Sequence, residues 1–198
     1  ITTPFGGGNL FIAVTTVPSS TQNNPKLTIG APIADNGVVT VVKTGAGILE
    51  LTGANTFSGG LVINGGRVMV NGDSNLGATS GGITFAGDGA LIFNSTSTIA
   101  STRLITINDG VTADFRGGSY TVSGTITGGG SLYVTDVSAQ SPATFTGPVN
   151  ITGAVWLSKG NNPVQFASLV DDPGNGPVII SSNATSSGSE FRWAGGTK

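Results

Sequence analysis

The stretch KTGAGILELTGANTFSGGLVINGG, residues 43–66, decides the fold. Its first apolar segment is Ile48, Leu49, Glu50, Leu51, and its second is Leu61, Val62, Ile63, which runs into a corner at Gly65 and Gly66. Both segments are shorter than an ordinary helix, and both are bounded by the glycine, asparagine and threonine of turn chemistry. The unit is strand, turn, strand, corner.

The corner recurs down the chain. Ile63-Asn64-Gly65-Gly66 leads to Val68 and Val70, and Phe85-Ala86-Gly87-Asp88-Gly89 leads to Leu91 and Phe93. Ile107-Asn108-Asp109-Gly110 leads to Ala113 and Phe115, Ile126-Thr127-Gly128-Gly129-Gly130 to Leu132 and Val134, and Ile151-Thr152-Gly153 to Val155 and Leu157. The apolar residues that open these corners stand 22, 22, 19 and 25 residues apart. A period near 20, made of very short strands and glycine corners, is that of a solenoid coil stacked on its neighbours. Antiparallel meanders would instead show hairpin-sized spacing.

The expected fold is therefore all-β, a parallel β-helix (β-solenoid) of roughly eight coils of about 19–25 residues each. Irregular leading coils are expected over 1–37, with strands near 10–14 and 27–29. The regular β-helix is expected over 38–159 with the repeat at 43–77, and less regular trailing coils over 160–198, with strands near 178–181 and 190–194. No window sustains apolar residues at helical spacing, so no helix is expected. Strand alternation assigns Leu49, Leu51, Leu61, Ile63, Val68, Val70, Ile83, Phe85, Leu91, Phe93, Ile105, Ile107, Phe115, Ile126, Leu132, Val134, Ile151, Val155 and Leu157 to the interior. Gly47, Asn64, Gly65, Gly66, Gly89, Gly110, Gly130 and Gly153 are the structural corner residues, the glycines because positive φ costs them nothing sterically.

Outward positions form two columns. Thr84, Thr106, Thr125 and Asn150 follow Val62 on one face; Glu50, Met69, Ile92, Asp114, Tyr133 and Trp156 line up after the corner. Met69, Ile92, Tyr133 and Trp156 are the partner-contact strip this reading proposes, since contiguous apolar patches mark contacts and outward aromatics supply large contact area.

Composition limits the chemistry. The chain of 198 residues has 33 Gly, 9% charged residues and a mean hydropathy of +0.22, against a usual charged share of about 25%. Its net charge of −2, without a cationic cluster, offers no footprint for nucleic acid or an anionic membrane. With no His and no Cys, serine–histidine and cysteine–histidine pairs are impossible and zinc loses its usual ligands. Neither cofactor nor metal is expected, and the chain is expected not to be an enzyme.

The acidic candidates for sugar chemistry are Glu50, Asp88, Asp109 and Asp114, with Lys43 and Arg67 on neighbouring corners. Glycoside hydrolysis needs two carboxylates about 5–5.5 or 6.5–9.5 Å apart. Glu50 and Asp114 stand three coils apart, roughly 14 Å, and Asp88 and Asp109 are turn residues. Asn55, Asn64, Asn71, Asn75 and Asn108 are corner residues, whose stacking would bond along the axis. The first residues lack the pattern of a signal peptide, and no apolar run has the length of a spanning helix. The chain thus has the look of a segment of a longer protein, with no membrane insertion of its own.

Extended through RVMVNGDSNLG to Gly77, the opening stretch closely resembles the autotransporter-associated β-strand repeat, also called the passenger-associated transport repeat. The residues that carry the likeness are Lys43-Thr44-Gly45-Ala46-Gly47, Leu49, Leu51-Thr52-Gly53-Ala54-Asn55-Thr56-Phe57, Gly59-Gly60, Ile63-Asn64-Gly65-Gly66 and Leu76-Gly77. The resemblance implies a right-handed β-helical passenger, exported by type V secretion in Gram-negative bacteria and displayed at or released from the cell surface. It also implies that the repeat supports folding-driven secretion. The expected role is a structural or adhesive passenger segment, whose partner is a host or neighbouring-cell surface protein or glycan, or a further copy of itself. Two alternatives are a self-assembling extracellular fibre or matrix subunit, and a polysaccharide-binding or polysaccharide-cleaving module.

Overall fold

The computed structural model describes residues 1, 6–15, 25–135, 142–158, 164–167, 178–180 and 191–193. Their strands stack in three columns, and every pairing is parallel. The first column runs Gly8–Ala13, Val39–Thr44, the start of Leu61–Val70, the start of Ile83–Phe93, Ile105–Ile107, Ile126–Gly128 and Val149–Ile151. The second runs Lys26–Ile29, Ile48–Leu51, the ends of the two long strands, Thr112–Gly117, Ser131–Thr135, Val155–Ser158 and Val178–Ile180. The third runs Ser97–Ile99, Tyr120–Val122, Ala143–Phe145, Val164–Phe166 and Phe191–Trp193. Among the described residues the one helical element is a 3-10 turn at Asp73–Asn75.

The molecule is the expected parallel β-solenoid. It makes about six turns, against the roughly eight expected, because the circuits at both ends are described only in part. Six turns at the usual strand spacing give a rod on the order of 30 Å long.

All nineteen positions assigned to the interior are buried. Their columns are close to pure: Val41, Leu61, Ile83, Ile105, Ile126 and Val149 stack in the first. In the second, Leu49, Val68, Leu91, Phe115, Val134 and Leu157 do so. The third column brings a wall the corner pattern does not mark, with Ile99, Tyr120, Val122, Ala143, Phe145, Val164 and Phe166 all buried. Phe115 meets Phe85 at 5.8 Å, Phe93 at 6.3 Å and Phe145 at 6.2 Å, so aromatic packing ties the three walls together.

Two registers differ from the expected alignment. Ile126 pairs with Ile105, not Ile107, and Gly128 occupies the place opposite Ile107 and Ile151. That circuit is 21 residues long, so matching one Ile-x-Gly corner to the next slips by two. The polar column consequently contains Thr84, Thr106, Thr127 and Asn150, with Thr127 in place of Thr125. The strand that carries Asp114 is likewise two residues out: Ile92 pairs with Arg116, and Asp114 pairs with Ala90 below and Tyr133 above.

The corner glycines serve two different needs. Gly66 has φ +68°, and a Cβ there would lie 2.2 Å from the Gly45 carbonyl oxygen. Gly153 has no such φ, yet its Cβ would stand 2.2 Å from the Gly130 carbonyl oxygen in the turn below. Close stacking of backbone on backbone, as much as positive φ, demands glycine at these corners. Gly47, Gly89 and Gly130 belong with Gly153 in this respect, and Gly65 and Gly110 share the positive φ of Gly66. Asn64 sits where the pairing shifts, opposite Gly87 with Ala86 skipped.

Candidate functional site: the locked repeat and its outward face

Inside the repeat, three polar side chains are buried. Lys43 is in phase with Val39 and Val41, in register with Ile12 and Ile63 in the apolar column, and fully buried. This corrects its expected place on a corner: strand alternation turns it inward. Its Nζ donates to the carbonyls of Thr44 at 2.7 Å, Gly45 at 2.6 Å and Gly65 at 3.3 Å, so it joins two successive corners. Burial lowers its pKa from 10.5 to about 8, because the interior disfavours the charged form.

Asn55 and Asn75 form a second lock. Asn55 accepts from the Ile33 N–H at 2.8 Å and donates to the Asn75 carbonyl at 2.5 Å. Asn75 donates to the Gly53 carbonyl at 2.9 Å and accepts from the N–H groups of Asn71 and Gly72. The side-chain amides thus satisfy backbone groups that the bends leave out of the sheet. Asn71 accepts from Asn94 Nδ2 at 3.3 Å, so asparagine bonding along the axis extends one turn further.

Arg103 is the third lock and lies outside the repeat. Its side chain is fully buried, and its Nε and Nη2 donate to the two carboxylate oxygens of Asp73 at 2.8 and 3.0 Å. Nη1 donates to the carbonyls of Leu76, Ala78 and Gly81, and Nη2 also to Gly77. The planar fork of a guanidinium suits this many-acceptor corner, as an ammonium would not.

The outward face of the second column carries the surface chemistry. Lys26 and Thr28 both donate to Glu50, at 2.9 and 2.7 Å, and these bonds, Thr28 foremost, hold its carboxyl below the usual range. Three turns on, Asp114 accepts from Thr135 Oγ1 at 2.6 Å and pairs with Arg116 Nη2. Burial, and then the nearby Arg67, lower the pKa of Arg116. Its Nε is the one buried side-chain polar atom without a hydrogen-bond partner among the described residues. Tyr133 and Trp156 pair in adjacent turns with ring centroids 5.7 Å apart and planes tilted by 47°.

The four strip residues do not form one column. Met69 and Ile92 are register partners, and Tyr133 and Trp156 are register partners two residues to the side. Ile92 is buried, while Met69, Tyr133 and Trp156 are half-buried. The other candidates have structural uses. Asp88 accepts from the Thr112 N–H at 2.8 Å, and Asp109 lies against Gly129 in the next turn. Among the described residues no three His, Cys, Asp or Glu side chains are grouped to hold a metal ion.

Comparison with known families places this geometry. Residues 41–70 match the model of the passenger-associated transport repeat. The chain carries an autotransporter passenger repeat. Over 163 residues, 82% of its length, it is 35% identical to the adhesin BmaC autotransporter of Brucella suis biovar 1 (strain 1330). It spans 4% of that protein. No solved structure matches the chain. It is a β-helical passenger segment of a type V secreted protein, presented at the bacterial cell surface. The matched span holds Lys43 and Asn55, whereas Asn75, Asp73 and Arg103 lie beyond it, Asn75 bonded to Asn55 and Asp73 to Arg103.

The passenger's buried cations are the residues that sequence reasoning missed. For Lys43 a signal existed: it falls on the inward phase set by Val39 and Val41. Arg103 has no such signal, because it lies in the bend between Ser97–Ile99 and Ile105–Ile107 and not on a strand.

Proposed function

We propose that this segment is the structural, adhesive part of its passenger and that the repeat supports secretion by folding. The observation that carries the reading is where the polar locks fall. Lys43, Asn55, Asn75 and the Arg103–Asp73 pair all bond turns that include or border residues 41–70. A coil closed by fully satisfied buried polar groups has one register and a high cost of opening, which suits a segment that folds as it emerges and must not slide back. Adhesion, named for the relative, comes to this chain through the outward face and a surface partner, host or bacterial. No catalytic role is proposed.

Two paired substitutions test the export role in the full-length protein. Leu49→Asp with Leu51→Asp breaks the core inside the repeat, and Leu132→Asp with Val134→Asp breaks it by the same chemistry in a later turn. Surface labelling of intact cells is expected to fall further for the first pair. Equal losses would remove any special role for the repeat and leave an ordinary solenoid turn.

A further inference from the structure

We infer that the outward face over Asp114, Tyr133, Thr135 and Trp156 binds a neutral, linear polysaccharide. Tyr133 and Trp156 are register partners in adjacent turns, with rings 5.7 Å apart and tilted by 47°. They make a two-step, twisted aromatic ladder parallel to the solenoid axis. Aromatic faces take the C–H faces of sugar rings, and they bring large contact area at low entropic cost. The step between turns, about 4.8 Å, is close to the length of one pyranose unit, so successive sugars of an extended chain can meet successive turns.

The polar groups beside the rings fit hydroxyls. Asp114 is buried and receives Thr135 on one oxygen and Arg116 on the other, so it orients the Thr135 hydroxyl, which retains acceptor capacity. Tyr133, on the same face of the strand, adds a phenolic hydroxyl that donates and accepts, as a ligand made of hydroxyl groups requires. Asp114 and Arg116 already neutralise one another on a chain of net charge −2; with Arg67 near Arg116, the alginate arm of the test below is what separates a neutral ligand from an acidic one. A stable protein partner buries a broad surface, about 800 Å² on each side. Here the rings form a ladder one residue wide, with Asp114 in line below Tyr133 and Thr135 to the side, which suits a linear ligand. The site names the ligand class of the adhesive face and rests on that reading only for its exposure outside the cell.

Native electrophoresis of the chain through gels containing hydroxyethylcellulose or dextran, with alginate as the acidic comparator, tests the site. Retardation is expected in at least one neutral gel. Trp156→Ala and Tyr133→Ala should each weaken it by roughly tenfold or more, and Tyr133→Phe, which keeps the ring, should retain it. Melting curves establish that each variant is folded; if Trp156→Ala is not, Tyr133→Ala combined with Thr135→Val decides. No retardation in either neutral gel, retardation in alginate alone, or retardation that survives loss of the rings would each overturn the site. Attachment of cells displaying the protein is scored separately. Attachment that persists in the ring variants sinks the sugar site and spares the adhesive reading, whereas gel retardation without attachment does the reverse.

Discussion

Arg103 offers the sharpest test of how the corner is held. Its five N–H donors serve six acceptors: both oxygens of Asp73 and the carbonyls of Leu76, Gly77, Ala78 and Gly81. Lysine at this position would offer three donors from one point, so at least three acceptors lose their partner. At the lower end of about 1–3 kcal/mol for each stranded acceptor, Arg103→Lys costs roughly 3 kcal/mol. Arg103→Met removes one side of a buried pair outright, for which about 3–5 kcal/mol is usual. In a chain of this size each kcal/mol lowers the melting temperature by roughly 2–4 °C. Arg103→Lys should therefore melt on the order of 10 °C below the parent, and Arg103→Met as low or lower. Because each turn touches only its neighbours, hydrogen exchange should quicken around residues 73–83 and 97–104 and stay unchanged at Val149–Ile151. A lysine variant as stable as the parent would refute the reasoning, since the fork and not the charge is held responsible.

Two further outcomes are expected. The folded-state pKa of Lys43, about 8, lies below its ordinary 10.5, so its charge destabilises the fold, by about 3 kcal/mol below pH 8. That cost is relieved as pH rises from about 8 toward 10.5, where the unfolded chain binds more protons. Denaturant titrations should thus show the parent gaining about 2 kcal/mol on Lys43→Met between pH 7 and 9.5; parallel profiles would contradict the assignment. Phe115→Ala removes the ring that meets Phe85, Phe93 and Phe145, and should cost about 3–5 kcal/mol by denaturant midpoint, where a loss under 1 kcal/mol would mean that the walls close without it.

The interior was legible because a solenoid repeats one decision. Once Leu49 and Leu51 are inward, period-two alternation and the next glycine corner place Val68 and Val70, then Leu91 and Phe93, with no long-range information needed. Register was less legible where a circuit changed length, and Ile126 was matched to Ile107 because both precede a glycine corner. Pairing with Ile105 is set by backbone stacking, which puts Gly128 over the Ile107 carbonyl, a contact that the sequence does not display. The third wall escaped because its strands are three residues long and follow bends of variable length. Of the outward strip, Tyr133 and Trp156 were legible as neighbours, but Met69 and Ile92 were not separable from them without the register of Thr112–Gly117.

The buried cations also bear on survival outside the cell. Between residues 43 and 158 the chain has four basic residues, Lys43, Arg67, Arg103 and Arg116. Two of them are wholly enclosed, and the other two are half-buried on strands. Proteases that cut after lysine or arginine must draw an extended stretch of chain around the basic side chain into their own cleft. Here that would mean first pulling a turn out of the stack. The bonds that fix the corners at Gly45 and Gly81 thereby hide two of the four cleavage sites between residues 43 and 158, so resistance to trypsin-like digestion there comes with the fold.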